Sequence, residues 1–222
     1  VLAVAPERWL VVSDVPLARY GDVAIERGLR DLDWVASVAM AHEAVIERFR
    51  SAEAVVPMKL FTIFTSDERA VSTLGRTRRR LDALLDRVAG RDEWGLRLVV
   101  DTRAAAPRAA TPRALRPASG TTFLQAKRAE RDAASATRRD ATRVAAEIYR
   151  DVAGEADAAR RRALSSAEAA TWALDAAFLV RRSRARAFRA AVARAGRRYA
   201  GDGYRLTLTG PWPPYTFVGA VS

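Results

Sequence analysis

Leu208-Thr209-Gly210-Pro211-Trp212-Pro213-Pro214-Tyr215-Thr216-Phe217-Val218, close to the end of the 222-residue chain, is the stretch around which the rest is read. Its three prolines fix φ and remove three backbone donors, so an extended or polyproline-like arm is expected here, neither helix nor central strand. The arm also carries Trp212, Tyr215 and Phe217, which would expose considerable apolar area if it hung free in water. It is therefore expected to dock as a strap. The alternative is a disordered tail offering a proline-rich motif to a partner, but such tails are usually poor in aromatics. A docked Trp212 should be buried, and Trp212→Ala is then expected to cost roughly 3–5 kcal/mol.

The remainder of the chain has the makings of a globular core, being half apolar. No apolar run approaches the roughly 18–20 residues of a membrane helix, and Val1 to Val15 lacks the pattern of a signal peptide. Without Cys, neither a disulfide framework nor a thiolate metal site is available. The net charge of +12 is unevenly placed: residues 1–90 hold 13 basic and 13 acidic side chains, residues 91–222 hold 25 and 13. Apart from Lys59 and Lys127 the basic residues are all arginines. A basic surface attracts acidic protein, anionic lipid or nucleic acid through salt-sensitive forces.

Periodicity divides the chain in two. In residues 1–90 the order expected is β-α-α-β-β-α. A strand covers Trp9 to Ser13, a short helix is capped by Asp22, and a longer helix runs from about Trp34 to Arg50. Strands Ala54–Val56 and Leu60–Phe64 flank Pro57, and one helix runs from Ser66 or Asp67 to Val88. Along the Trp34–Arg50 helix, Val35, Val38, Ala39, His42, Val45, Ile46 and Phe49 form one apolar stripe. His42, the single histidine, is expected to be a hydrogen-bonded core or interface imidazole rather than a catalyst, since no Cys, His or carboxylate cluster accompanies it. Arg76, Arg78, Arg79 and Arg80 read as a solvated helix face. Gly90 marks the boundary.

Residues 91–209 are expected to run β-α-α-β-α-β: a strand Trp94–Val100, a Pro/Ala/Arg loop 101–119, and a long helix Thr121–Gly154. That helix should pair as a hairpin with a helix Ala156–Ala170. A strand Trp172–Val180, a helix Ser183–Tyr199 with Phe188, Val192 and Tyr199 inward, and a strand Tyr204–Thr209 follow. Residues 210–222 form the arm. The fold class is α+β in two domains, with helices expected on one face of each sheet.

The motif Gly210-Pro211-Trp212-Pro213-Pro214-Tyr215, followed by Phe217-Val218 and preceded by Leu206-Thr207-Leu208-Thr209, resembles the C-terminal signature of the gas vesicle accessory proteins of the F/L family. Asp92-Glu93-Trp94-Gly95-Leu96-Arg97-Leu98 is similar to that family's second-half strand. Gly120-Thr121-Thr122-Phe123-Leu124-Gln125-Ala126-Lys127 resembles its long-helix start, and Ala177-Phe178-Leu179-Val180-Arg181 its penultimate strand. At Val56-Pro57-Met58-Lys59-Leu60-Phe61, Phe61-Thr62 replaces the phenylalanine-glycine pair of many members, which leaves F-type or L-type identity open. Members usually open with an extra strand, and a trimmed N-terminus lacking it is expected of a chain that begins at Val1. The resemblance implies a modified ferredoxin-like second domain with a long helical hairpin. It also implies an arm that folds back on the first domain, with Gly210, Pro211, Trp212, Pro213, Pro214, Tyr215 and Phe217 as the clamping motif.

No constellation for catalysis stands out: there is no phosphate-cradling glycine loop, no nucleophile elbow and no metal spacing. The chain is expected to be no enzyme and to use no cofactor, metal or small-molecule substrate. The resemblance implies a cytoplasmic, vesicle-associated accessory protein that binds the shell protein, other accessory proteins, or both, to nucleate or extend the vesicle. Arg181, Arg184, Arg186, Arg189 and Arg197 are the candidate partner-binding residues. The competing reading is nucleic-acid binding through the same arginine-rich half, where Arg182, Arg194 and Arg198 add to the charge. No recognition motif or interleaved stacking aromatics support it, so neither nucleic acid nor membrane is an expected partner.

Overall fold

The computed structural model describes residues 1–100 and 120–219. The loop expected at 101–119 lies outside the described residues. The fold is mixed α+β and divides into two compact units, Val1–Arg91 with Pro213–Ser222, and Asp92–Trp212.

The first unit opens with an antiparallel hairpin, β1 (Leu2–Ala5) and β2 (Arg8–Leu10), pairing Leu2 with Leu10 and Ala3 with Trp9. Helices α1 (Leu17–Tyr20), α2 (Asp22–Gly28) and α3 (Leu32–Arg48) follow, then α4 (Asp67–Arg76) and α5 (Arg78–Val88). Asp31 caps α3 by accepting from the amides of Asp33 and Trp34, and Ser66 caps α4 by accepting from that of Arg69. Leu10, Ala70 and Leu74 make a small core to which Leu2, Val4, Met58, Phe64 and Leu81 add. The side of α2 at Gly28 is covered by the Trp34 ring, which a Cβ there would meet at 2.5 Å. Trp34 in turn stacks on Phe61 at 5.5 Å between centroids.

Three expectations for this unit are corrected. Residues 54–64 form no strand. Pro57 donates no hydrogen bond, Phe61 takes φ 63°, and Thr62 turns the chain by donating from its amide (3.1 Å) and hydroxyl (2.7 Å) to the Lys59 carbonyl. The segment's polar groups are met by turns and side chains instead of a ladder, and one of those side chains is His42, whose Nε2 bonds the Met58 carbonyl at 3.1 Å. The helix expected from Ser66 to Val88 breaks at Thr77, whose hydroxyl donates to the Leu74 carbonyl at 3.2 Å just past Gly75, a poor helix former. In α3, Val38 and Ile46 are buried, but Val45 and Phe49 stay partly exposed.

The second unit contains β3 (Arg91–Val100), α6 (Gly120–Ala153), β4 (Ala158–Arg161), β5 (Trp172–Arg181), α7 (Ala185–Tyr199) and β6 (Tyr204–Trp212). The sheet order is β4-β5-β3-β6, with β3–β6 and β4–β5 antiparallel. Trp94, Leu96 and Leu98 of β3 and Leu174, Ala176, Phe178 and Val180 of β5 alternate onto one face. There they meet Val144, Ile148 and Val152 of α6 and Phe188, Val192 and Tyr199 of α7.

No helical hairpin forms. Instead of a helix at 156–170, β4 pairs with β5, extended by Asp157 N–H to the Leu179 carbonyl (2.9 Å) and Arg162 N–H to the Asp175 carbonyl (2.8 Å). Alanine and arginine favour helix locally, but the open edge of β5 offers a full set of partners and outweighs propensity. Arg161 stacks on Tyr149 at 4.3 Å, and Arg162 pairs with Glu168 and Asp175 at 2.6 and 2.7 Å. Along α6, Phe123, Ala126, Ala133, Ala134, Ala141, Val144, Ile148 and Val152 recur on one side, and this stripe divides: Ala141, Val144, Ile148 and Val152 are core, while Phe123, Ala126, Ala133 and Ala134 are exposed.

A polar ladder fastens α6 to α7 and β6. Tyr199 donates to Glu147 at 2.5 Å, Tyr204 donates to Asp140 at 2.8 Å, and Arg143 bridges both carboxylates at 2.6 and 2.8 Å. Arg143, then Tyr204, holds Asp140 below the ordinary carboxylate range; Tyr199, then Arg143, does so for Glu147. The Glu147 bond, then burial, raises Tyr199, and burial, then the Asp140 bond, pushes Tyr204 up to about 12. Depressed carboxylates stabilise the fold above their unfolded values and lose that contribution as pH falls below about 4. Raised phenols stabilise it below about pH 10, and that contribution fades as pH climbs toward 12. The melting temperature should therefore fall on both limbs, and Tyr199→Phe with Tyr204→Phe should flatten the alkaline limb and soften the acid one, where Arg143 still holds both carboxylates; unchanged limbs in the double variant would count against the ladder.

Candidate functional site

Three groups of residues were legible or exposed enough to be candidates. The first is the C-terminal motif. Thr209 pairs with Gly95 and Trp212 with Glu93, so the ladder of β6 extends through Pro211 to Trp212, with a bulge between Glu93 and Gly95. Pro211 is tolerated because β6 is an edge strand. Gly210 adopts φ 113°, and a Cβ there would sit 2.9 Å from the Glu93 carbonyl oxygen, so only glycine fits. Past Trp212, Pro213 and Pro214 are buried and the chain turns into α8 (Tyr215–Val218), where Phe217 and Val218 are buried against the side of α5. Tyr215 donates to Glu43 of α3. The motif is thus part strand and part helix rather than an extended arm. Its buried anchor is Phe217, at 1% exposure, and not Trp212, which is 46% exposed.

The second group is the arginines of the second unit. Arg181 pairs with Asp157 at 3.2 Å and Arg184 with Glu155 at 2.9 Å, so both are engaged within the fold; Arg182 does the same with Asp92 at 3.2 Å. Arg186, Arg189 and Arg197 lie on α7 with their side chains in water, joined there by Arg194. The five candidates therefore do not form one cluster.

The third group is apolar, and its residues were not singled out from the sequence. Leu17 of α1 is 78% exposed, Val23 of α2 is 72%, and Leu32 and Met40 of α3 are 82% and 73%. On α3 the exposed residues Leu32, Ala36, Met40 and Ala44 recur every fourth position, away from the side that buries Val38 and Ile46. That second stripe is present in the spacing, but two of its four members are alanines, so it is weaker in apolar bulk than the one through His42. Among the described residues no group of three or more His, Cys, Asp or Glu is placed to hold a metal ion, and no helix is long and apolar enough to cross a membrane.

Comparison with known proteins decides the family. The family described as "Gas vesicle synthesis protein GvpL/GvpF" matches residues 3–219. The chain belongs to that family. A relative named "Gas vesicle protein L", from Streptomyces sp. (strain CB03234), is 30% identical over 214 residues, covering 94% of this chain and 79% of the relative. The fold is similar to the crystal structure of gas vesicle protein GvpF from Anabaena sp. PCC7120, with TM-score 0.62 and 16% identity over 83% of this chain and 78% of that one. The GvpF structure from Microcystis aeruginosa gives TM-score 0.56 and 15% identity over 81% and 75%. The family match thus reaches from the first strand through Gly210–Tyr215, across nearly the whole chain.

Proposed function

We propose that the chain acts without catalysis in gas vesicle assembly, in the cytoplasm, by holding the vesicle shell protein or another accessory protein through the exposed apolar face of α1–α3. The observation that carries this reading is the row Leu32, Ala36, Met40 and Ala44, with Leu17 and Val23 exposed on the preceding helices. A protein that lines a gas space must present an apolar face, and such a face aggregates in water unless a partner covers it. Apolar side chains standing in water on a helix are suited to that task. The nucleic-acid reading draws no support from the family or its members.

The β-α-β-β-α-β order of the second unit, with its fourth strand next to its first and its second at the far edge, supports a ferredoxin-like assignment. The motif's clamping role is supported by the burial of Phe217 and Val218 in the first unit.

The test is capture of the shell protein by the tagged chain at about 0.1 M and about 0.5 M salt, where screening removes charge contacts but not apolar ones. Capture should survive the higher salt and fall at least about tenfold in Leu32→Asp with Met40→Asp, as expected for loss of buried apolar anchors. Capture abolished by salt, or unaffected by the double substitution, would sink the reading.

A further inference from the structure

Helix α7, ARAFRAAVARAGRRY, contains no acidic residue. Phe188, Ala191, Val192, Ala195 and Tyr199 are its buried face. At about 100° per residue, Arg186, Arg189, Arg194 and Arg197 fall on the opposite face, along a helix about 22 Å long. Other arginines of the unit have carboxylate partners: Arg97 and Arg162 share Asp175, Arg143 takes Asp140 and Glu147, Arg181, Arg182 and Arg184 each have an acid, and Arg198, on the flank of α7, reaches Glu147 and Asp151. Among the described residues, the side chains of the four on the outer face of α7 make no ion pair, hydrogen bond or ring contact. Arg186 and Arg189, and Arg194 and Arg197, are like charges three residues apart, an arrangement that weakens a helix by a few tenths of a kcal/mol per pair. Arg186 also sits in the first turn, where a positive charge opposes the helix dipole.

We propose that this face binds an acidic amphipathic helix of a partner protein, one with carboxylates at three- and four-residue spacing. Guanidinium forks suit carboxylates arranged in that way. The space between the arginines is filled by Ala187, Ala190 and Ala193, all exposed, and side chains this small allow a second helix to approach closely. The same composition argues against other anionic partners. The face carries no aromatic ring on which a base could stack, and no large apolar side chain to enter a lipid interface. The inference rests on the assembly reading in taking the ligand to be protein, and gives the second unit a partner separate from the one on α1–α3.

The experiment is fluorescence anisotropy of the full chain with a labelled Glu/Ala helical peptide whose glutamates lie on one face, and with a peptide of the same composition whose glutamates are spread around the helix. Single-stranded DNA of about 20 nucleotides and phosphatidylcholine/phosphatidylserine vesicles serve as competing probes, all at about 50 mM salt. The one-faced peptide should bind best, and Arg186→Glu with Arg197→Glu should weaken it by about tenfold or more, while Arg128→Glu on α6 leaves it unchanged. Arg186→Gln with Arg197→Gln keeps the test available if charge reversal prevents folding. Equal binding of both peptides, indifference to both double variants, or preference for DNA or vesicles would overturn the proposal. The Leu32→Asp, Met40→Asp chain should bind the peptide normally, so loss of shell-protein capture and loss of peptide binding are read separately.

Discussion

Phe217→Ala is expected to destabilise the first unit by roughly 3–5 kcal/mol, and Trp212→Ala by less than about 1 kcal/mol. The two aromatics lie five residues apart in one motif, and the sequence alone favours the tryptophan, the larger ring. Burial reverses the order, since Phe217 is 1% exposed and Trp212 is 46% exposed. A helix as short as α8 cannot hold itself together, so its position depends on Phe217 and Val218 packing beside α5. Removing the ring deletes that packing and leaves a cavity that neighbours can fill only in part. Among the fully buried large side chains of the first unit, Phe217 and Val88 stand nearly alone, which leaves little other apolar burial to compensate. Urea unfolding gives the size of the loss, and hydrogen exchange at the amides of α5 gives its location. Similar losses for both variants would mean that the motif is held by its tryptophan after all.

The parts of the fold legible in the sequence are those where local pattern and tertiary need agree. β3, β5 and α7 follow from alternation and helical periodicity, because Leu96, Phe178 and Phe188 are both patterned and buried. The errors arise where a distant partner decides. Ala158–Arg161 becomes a strand because β5 needs a neighbour, which no local propensity records. Residues 54–64 stay irregular although they are rich in β-formers, because Pro57 and the positive φ of Phe61 prevent a ladder. The candidate arginines show the same limit: Arg181 and Arg184 look equivalent to Arg186 and Arg189 in the sequence. Only Asp157, 24 residues before Arg181, and Glu155, 29 before Arg184, separate the paired from the unpaired.

That limit can be measured on two phenylalanines that periodicity treats alike. Phe188→Ala is expected to cost roughly 3–5 kcal/mol, and Phe123→Ala to stay within about 0.5 kcal/mol of the parent. Both lie on apolar helix stripes, yet Phe188 is fully buried, with Phe178 at 5.5 Å and Trp94 at 6.0 Å between ring centroids, while Phe123 is 53% exposed. Tilted ring pairs add to the area term, so losing Phe188 removes two aromatic contacts as well as the transfer energy. Phe123 is on the part of α6 that precedes its core residues, and a stripe made mostly of alanine there buries little. Thermal unfolding followed by near-ultraviolet circular dichroism reports both, because Trp94 senses the packing of Phe188 directly. A cost at Phe123 comparable to that at Phe188 would show that the first turns of α6 are packed against something in solution, and that the alanine stripe is an interface rather than a surface.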